Sequence, residues 1–215
     1  MDDRPGLTLY YHPLASFCHK VLIALYESQI PFEARVVDLA DEASSGEMLA
    51  FWPVGKIPVL RDRVRGETVP ETSIIIEYLD LHRPGLVRLV PLEPAAALQA
   101  RLWDRFFDLY VSAPMQKIVT DNLRATGQND GVGVDEARAV LARAYDLLET
   151  HLGSHEGPWV VGASFGLADC AAAPALFYAD IVAPFGRSHP RVAAYYERLL
   201  SRPSVVRTID EARPY

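Results

Sequence analysis

At 215 residues, half of them hydrophobic, the chain can bury a sizeable core and form one or two domains. Its formal charge of −7 at pH 7 argues against a general binder of nucleic acid or of an anionic membrane. The acidic start Met1-Asp2-Asp3-Arg4-Pro5-Gly6 leads into no apolar signal-peptide core, and no uncharged stretch approaches bilayer length, so a cytoplasmic, non-membrane protein is expected. Cys18 and Cys170 lie far apart, form no metal-ligand pair and read as reduced thiols; no metal is expected.

In chain order, Leu7-Thr8-Leu9-Tyr10-Tyr11 reads as a short strand ended by His12-Pro13. From Ser16 the pattern turns helical: Phe17, Val21, Ala24 and Leu25 share one face, and Ser16 is the expected N-cap. Ile30-Pro31 breaks this helix, and Phe32, Ala34 and Val36 alternate with Glu33, Arg35 and Val37 as a second strand. Asp38 to Phe51 is acidic and weakly patterned, with one short helix expected around Glu47-Met48-Leu49. A third strand starts at Pro58-Val59-Leu60 and turns at Arg65-Gly66 into a fourth at Thr68-Val69; a helix follows from Thr72 to about His82. Everything after Pro94 reads as helical. Ala95 to Ala113, Asp135 to Leu152, Leu167 to Ala183 and Arg191 to Leu200 carry helical apolar spacing, with breaks at Pro114, Gly153, Pro184 and Pro203. Gly127 to Gly133, rich in Gly, Asn and Asp, is the expected mobile loop. The division is an α/β domain over 1–85, a linker over 86–93 and an all-α domain over 94–215.

The chemistry is most legible at Gly55-Lys56-Ile57-Pro58-Val59-Leu60, followed by Glu71-Thr72-Ser73 at a helix start. A proline opening a strand leaves the preceding residue extended, so the backbone groups of Ile57 can pair with a peptide-like ligand as an added strand would. The helix start at Thr72 and Ser73 can hold a carboxylate on its unpaired N–H groups, and Glu71 beside it can hold an α-amino group. Small, zwitterionic and peptide-like describes glutathione. At these residues the chain resembles the cytosolic glutathione transferases. The resemblance implies a thioredoxin-like N-terminal domain followed by a C-terminal helical bundle, with the Ile57-Pro58 bond cis. It also implies that Lys56, Ile57, Pro58, Glu71 and Thr72 bind glutathione as co-substrate.

In that family the segment joining the first strand to the first helix stabilises the glutathione thiolate, which gains from a hydroxyl donor and from the helix dipole. Here it reads Tyr11-His12-Pro13-Leu14-Ala15-Ser16-Phe17-Cys18, and it departs from the family's patterns. Ala15 stands where serine-type members place their serine and glutaredoxin-like members their cysteine, so a protein mixed disulfide is not expected. Ser16 is the first choice of hydroxyl donor, against the alternative that it only caps its helix; Tyr10 and Tyr11 follow, one packing and the other facing the cleft. Cys18 is expected to be buried. Further on, Phe165-Gly166-Leu167-Ala168-Asp169-Cys170 resembles the family's capping motif, in which Asp169 is a folding residue.

The resemblance further implies a second-substrate pocket lined by Leu14, Phe106, Tyr110 and Met115, and a homodimer. The expected reaction adds the glutathione thiolate to a small hydrophobic electrophile. Alternatives on the same fold are a glutathione-dependent isomerase or peroxidase, and a non-catalytic binding or stress-response protein.

Overall fold

The computed structural model describes residues 6–215; the acidic start Met1-Asp2-Asp3-Arg4-Pro5 lies outside them. The chain divides into two compact units, one taking the chain up to Val90 together with Pro203–Tyr215, the other Pro91–Arg202.

The first unit carries β1 (Leu7–Tyr11), α1 (Ser16–Glu27), β2 (Glu33–Val36), α2 (Glu42–Phe51), β3 (Val59–Asp62), β4 (Glu67–Pro70) and α3 (Thr72–His82). The sheet order is β2-β1-β3-β4. β1 runs parallel to β2, the crossover being α1, and antiparallel to β3, which pairs antiparallel with β4. Strand alternation sorts the side chains between two faces. Leu9, Leu60 and Val69 form a buried cross-strand row and pack with Val21, Leu22 and Leu25 of α1 and Ile75 and Leu79 of α3. On the other face Tyr10 and Val59 meet Val37 and Met48 of α2. This is the thioredoxin-like arrangement expected from the sequence.

α2 spans ten residues rather than the short helix expected around Glu47-Met48-Leu49. Asp41 caps it by accepting the Ala43 N–H at 3.1 Å. Only Ser45 and Met48 of α2 are buried, so no apolar stripe advertises the helix. At the far end of β3 the Asp62 carboxylate accepts from Val64 N (3.0 Å), Arg65 N (3.1 Å), the Tyr78 hydroxyl (2.9 Å) and Arg83 Nη2 (2.6 Å) and Nε (2.9 Å), tying the β3–β4 turn to α3.

The second unit is helical: α4 (Pro94–Phe106), a π-helical stretch Phe107–Ser112, α5 (Ala113–Asn122), α6 (Gly131–Ser154), α7 (Leu167–Val182) and α8 (Pro190–Leu200). The break expected at Pro114 does not occur. The chain stays helical through the π stretch, and Pro114 falls in the first turn of α5, where a proline ring is tolerated. Nor is Gly127 to Gly133 a loop throughout, because Gly131 opens α6. Asp130 caps that helix through the Gly133 N–H at 2.9 Å, and the Asp121 carboxylate accepts the Asp130 N–H at 2.7 Å and Asn129 Nδ2 at 3.2 Å. α7 is buried along most of its length; its alanines let α4, α5 and α8 pack closely around it.

Asp169 opens α7 as expected. Gly166 offers no side chain, so only the return half of the capping box exists: Asp169 Oδ2 accepts the Gly166 N–H at 2.9 Å. Its other oxygen accepts the Val160 N–H at 3.2 Å and the Tyr195 hydroxyl at 2.5 Å. The last helix, α9 (Pro203–Ala212), falls in the first unit, whereas the sequence reading runs the all-α domain on to residue 215. It lies against α1: the Ser204 hydroxyl donates to Glu27, the Tyr26 hydroxyl to Glu211, and the Arg207 guanidinium sits 3.9 Å from the Tyr26 ring centre.

Candidate functional site

The sheet register gathers the residues singled out in sequence. β3 pairs Val59 with Tyr10 on one side and with Pro70 on the other. One residue beyond that row, at the same sheet end, stand Tyr11, Pro58 and Glu71. Ile57 precedes the cis Ile57-Pro58 bond and lies outside the β ladder. Gly55 adopts φ 68° and donates its N–H to the Trp52 carbonyl at 3.2 Å, a bend that leaves Lys56 exposed.

Glu71 is an exposed residue with φ 67° and ψ 117°, and it is the N-cap of α3 without a side-chain cap bond. A non-glycine side chain rarely sits at positive φ, and such strain persists where the surroundings over-determine it. Thr72 follows as the buried first residue of α3. The Ser73 hydroxyl accepts from Lys20 Nζ at 3.0 Å, and Lys20, on α1, is only 1 % exposed. Sequence reasoning missed this lysine; its place in a helix of mixed pattern gave no sign that it turns inward. A buried ammonium beside a helix N-terminus adds positive charge where an anion would bind.

At the start of α1 the structure corrects one detail. Ala15, at φ −83° and ψ 118°, is the N-cap, and Ser16 is the first helical residue, 7 % exposed. The Ala15 carbonyl accepts the Cys18 and His19 N–H groups at 2.9 and 3.1 Å, which starts the helix one residue before the serine hydroxyl could cap it. The turn is held by two histidines to which the sequence gave no role. His12 Nδ1 accepts the Leu14 N–H at 3.2 Å, and His19 Nε2 meets the Pro13 carbonyl at 2.5 Å. Burial lowers the His19 pKa, so the neutral imidazole is favoured, and a neutral ring can donate to that carbonyl from Nε2.

The two tyrosines separate as strand alternation requires. Tyr10 turns to the α2 face, 5 % exposed, its hydroxyl donating to Glu47 at 2.8 Å. Tyr11 lies on the α1–α3 face, partly buried against the core. Burial pushes its pKa up, and Glu211, Tyr215 and Cys18 add to the shift, so the phenol stays protonated and able to donate. Cys18 is fully buried and its thiol is pushed up to about 12 by burial, which leaves no thiolate for a nucleophilic role at neutral pH.

Leu14 is 48 % exposed on the β1–α1 turn. The other residues expected around a second substrate belong to the helical unit: Phe106 (6 % exposed) and Met115 (2 %) are buried, Tyr110 (53 %) is exposed, and Phe106 packs edge-on against Trp103. Among the described residues no group of three or more His, Cys, Asp or Glu could hold a metal ion, and no helix is long and apolar enough to cross a membrane.

A small sheet flanked by helices, with a strand-opening proline and an acidic residue at a helix start, followed in the chain by a helical unit, defines the class. Residues 15–82 match the glutathione S-transferase N-terminal domain model and residues 132–198 the C-terminal domain model. The chain belongs to the cytosolic glutathione S-transferase family. It is 30 % identical to glutathione S-transferase U22 of Arabidopsis thaliana over 88 % of this chain and 84 % of that protein. It is 27 % identical to a stringent starvation protein A homolog of Haemophilus influenzae (99 % and 94 % covered) and 26 % identical to a probable maleylacetoacetate isomerase of Caenorhabditis elegans (99 % and 96 %). Among solved structures, a glutathione S-transferase of Methylobacillus flagellatus with glutathione bound superimposes with a TM-score of 0.85 at 27 % identity, covering 94 % of this chain and 98 % of that one.

Proposed function

We propose that the chain binds glutathione at the sheet end where Tyr11, Pro58 and Glu71 converge, and adds its thiolate to a small hydrophobic electrophile. The observation that carries this reading is the register: Val59 aligns Tyr10 with Pro70, bringing a strand-opening proline, a strained acidic helix cap and the β1–α1 turn to one edge. In this reading Ile57 pairs its backbone with the cysteinyl part. Glu71 and Thr72 take the γ-glutamyl end, with Lys20 beneath them through Ser73, and Lys56 reaches the glycine carboxylate. The thiol then lies over the start of α1. Its pKa is lowered by the helix dipole and by a hydroxyl from Ser16 or, as second choice, Tyr11. The electrophile brings its own reactivity, and Leu14, Phe106, Tyr110 and Met115 remain the candidates for lining its pocket.

A homodimer belongs to the same proposal. Ile74 (55 % exposed) and Leu81 (67 %) lie two turns apart on α3, and Leu98 (65 %) and Leu102 (57 %) one turn apart on α4, apolar faces of the kind that association covers. Two buried thiols without a disulfide fit a reducing, cytoplasmic setting. The test is an ultraviolet titration of glutathione bound to the protein, with turnover of an activated aryl halide measured alongside. A thiolate band at neutral pH together with conjugate formation supports the reading; bound glutathione that titrates like the free thiol would refute it. A second reading rests on the similarity to the probable maleylacetoacetate isomerase: the same thiolate adds reversibly to an unsaturated acid and is regenerated. Release of unmodified glutathione with an isomerised acid distinguishes it.

A further inference from the structure

The face of the sheet turned away from Tyr11 holds a second feature that the glutathione reading does not use. A cavity of about 490 Å³ opens there, within the size range of small-molecule sites. The register explains its chemistry. Thr8 stands opposite Glu33 on one side and Arg61 on the other, and Tyr10 stands opposite Arg35, so polar side chains share one sheet face. Phe51 and Ala50, at the end of α2, form the apolar wall, Phe51 packing edge-on to Tyr10 at 5.1 Å.

In a chain of net charge −7, three guanidiniums converge here: Arg35, Arg61 and Arg63. Glu33 serves two of them, accepting Arg35 Nε at 3.0 Å and Arg63 Nη1 at 2.8 Å. Glu47 is 3.9 Å from Arg35 and accepts the Tyr10 hydroxyl. Arg61 differs. Among the described residues its hydrogen bonds go to neutral oxygens, the Gly66 carbonyl at 2.9 Å and the Thr68 hydroxyl at 2.8 Å, and its guanidinium lies 5.8 Å from the Phe51 ring centre. The cavity therefore offers a cation that has no carboxylate partner among the described residues, with an aromatic wall beside it, and a second cation shared with Glu33 and Glu47.

We propose that this cavity binds a small organic anion, a flat apolar body carrying a phosphate or carboxylate group, with the anion on Arg61 and Arg35 and the body against Phe51 and Ala50. A guanidinium fork matches both head groups, and a planar body stacks on an aromatic or guanidinium face. Apart from Tyr10, whose hydroxyl donates to Glu47, the site shares no residue with the glutathione candidates, and it does not depend on that reading.

The test uses the full chain saturated with glutathione and two probes, phenyl phosphate and benzoate, which separate the two head groups; inorganic phosphate is the control for charge alone. Calorimetry should show binding of at least one aromatic probe, tighter than inorganic phosphate, and Arg61→Gln should weaken it by about tenfold or more, as loss of a charge-assisted hydrogen bond does. Amide shifts in the unmodified protein provide a reading that no variant can confuse, and they should concentrate at Thr8, Ala50 and Phe51. Equal binding by the Arg61→Gln variant, shifts confined to other residues, or inorganic phosphate binding as tightly as the aromatic probes would each overturn the proposal.

Discussion

Replacing Asp169 tests whether its carboxylate is a structural keystone rather than part of the chemistry. In Asp169→Ala three donors lose their acceptor: the buried Val160 N–H and Tyr195 hydroxyl and the partly buried Gly166 N–H. At about 1–3 kcal/mol for each, the middle of the range is about 6 kcal/mol. Part of this is offset, because the carboxylate is itself costly to bury. Desolvation raises its pKa from 3.8 to about 6 despite the Tyr195, Gly166 and Val160 donors, and that rise corresponds to about 3 kcal/mol at neutral pH. The expected net loss is therefore about 3 kcal/mol, read as a shift in the urea midpoint, with turnover per folded molecule unchanged. Asp169→Asn keeps the shape and removes the charge. A folded pKa above the unfolded one means that the stabilising contribution is complete below about pH 4 and is lost as pH rises through about 6. Wild-type stability should therefore decline across that window while the Asn variant's should not, so the gap between them narrows from acid to neutral pH. An Ala variant with an unchanged midpoint would refute the reasoning, as would a wild-type–Asn gap that stays constant from pH 4 to 7.

Glu71→Ala should bind glutathione much more weakly by calorimetry while remaining folded; wild-type affinity would remove the basis for assigning the γ-glutamyl end to α3. Ser16→Ala should raise the bound thiol's pKa by roughly one to two units, the worth of a charge-assisted hydrogen bond, and slow conjugation with little change in saturation. If it titrates normally and Tyr11→Phe does not, the tyrosine is the donor. Asp62 predicts an acid limit with the opposite sign to Asp169. Burial pushes its carboxyl up, but the Arg83 guanidinium, the Arg65 N–H and the Tyr78 hydroxyl pull harder and hold it at about 2. About 2 kcal/mol is then present above pH 4 and lost as pH falls toward 2, and Asp62→Asn should flatten that part of the acid-unfolding curve.

The α/β half was legible because its elements are short and punctuated. Alternation in Leu7–Tyr11, the Ile30-Pro31 break, Pro58 and the Arg65-Gly66 turn bound them closely. α2 was read too short because a helix that buries only Ser45 and Met48 has no stripe to detect. Pro114 was misleading for a different reason: a change to π geometry is a property of the packed backbone, and no residue type signals it. In the site, alternation shows that Tyr10 and Tyr11 part company but not which one faces α1, since that depends on where α2 packs. The cap shifted from Ser16 to Ala15 because the His12 and His19 side chains hold the turn, contacts that close only in three dimensions. Lys20 was invisible because its Ser73 partner is distant in sequence.

The backbone of Glu71 has a consequence for how this protein could change. Its φ of 67° is one that glycine adopts without penalty and glutamate does not, at a cost of about 1–3 kcal/mol. A population of variants selected for heat resistance alone should therefore drift toward glycine at position 71, growing sturdier and, on the proposed reading, losing its hold on glutathione. Selected for glutathione instead, the same population should retain the acid and gather its stabilising changes elsewhere. Which residue survives at position 71 would then report which pressure the protein has been under.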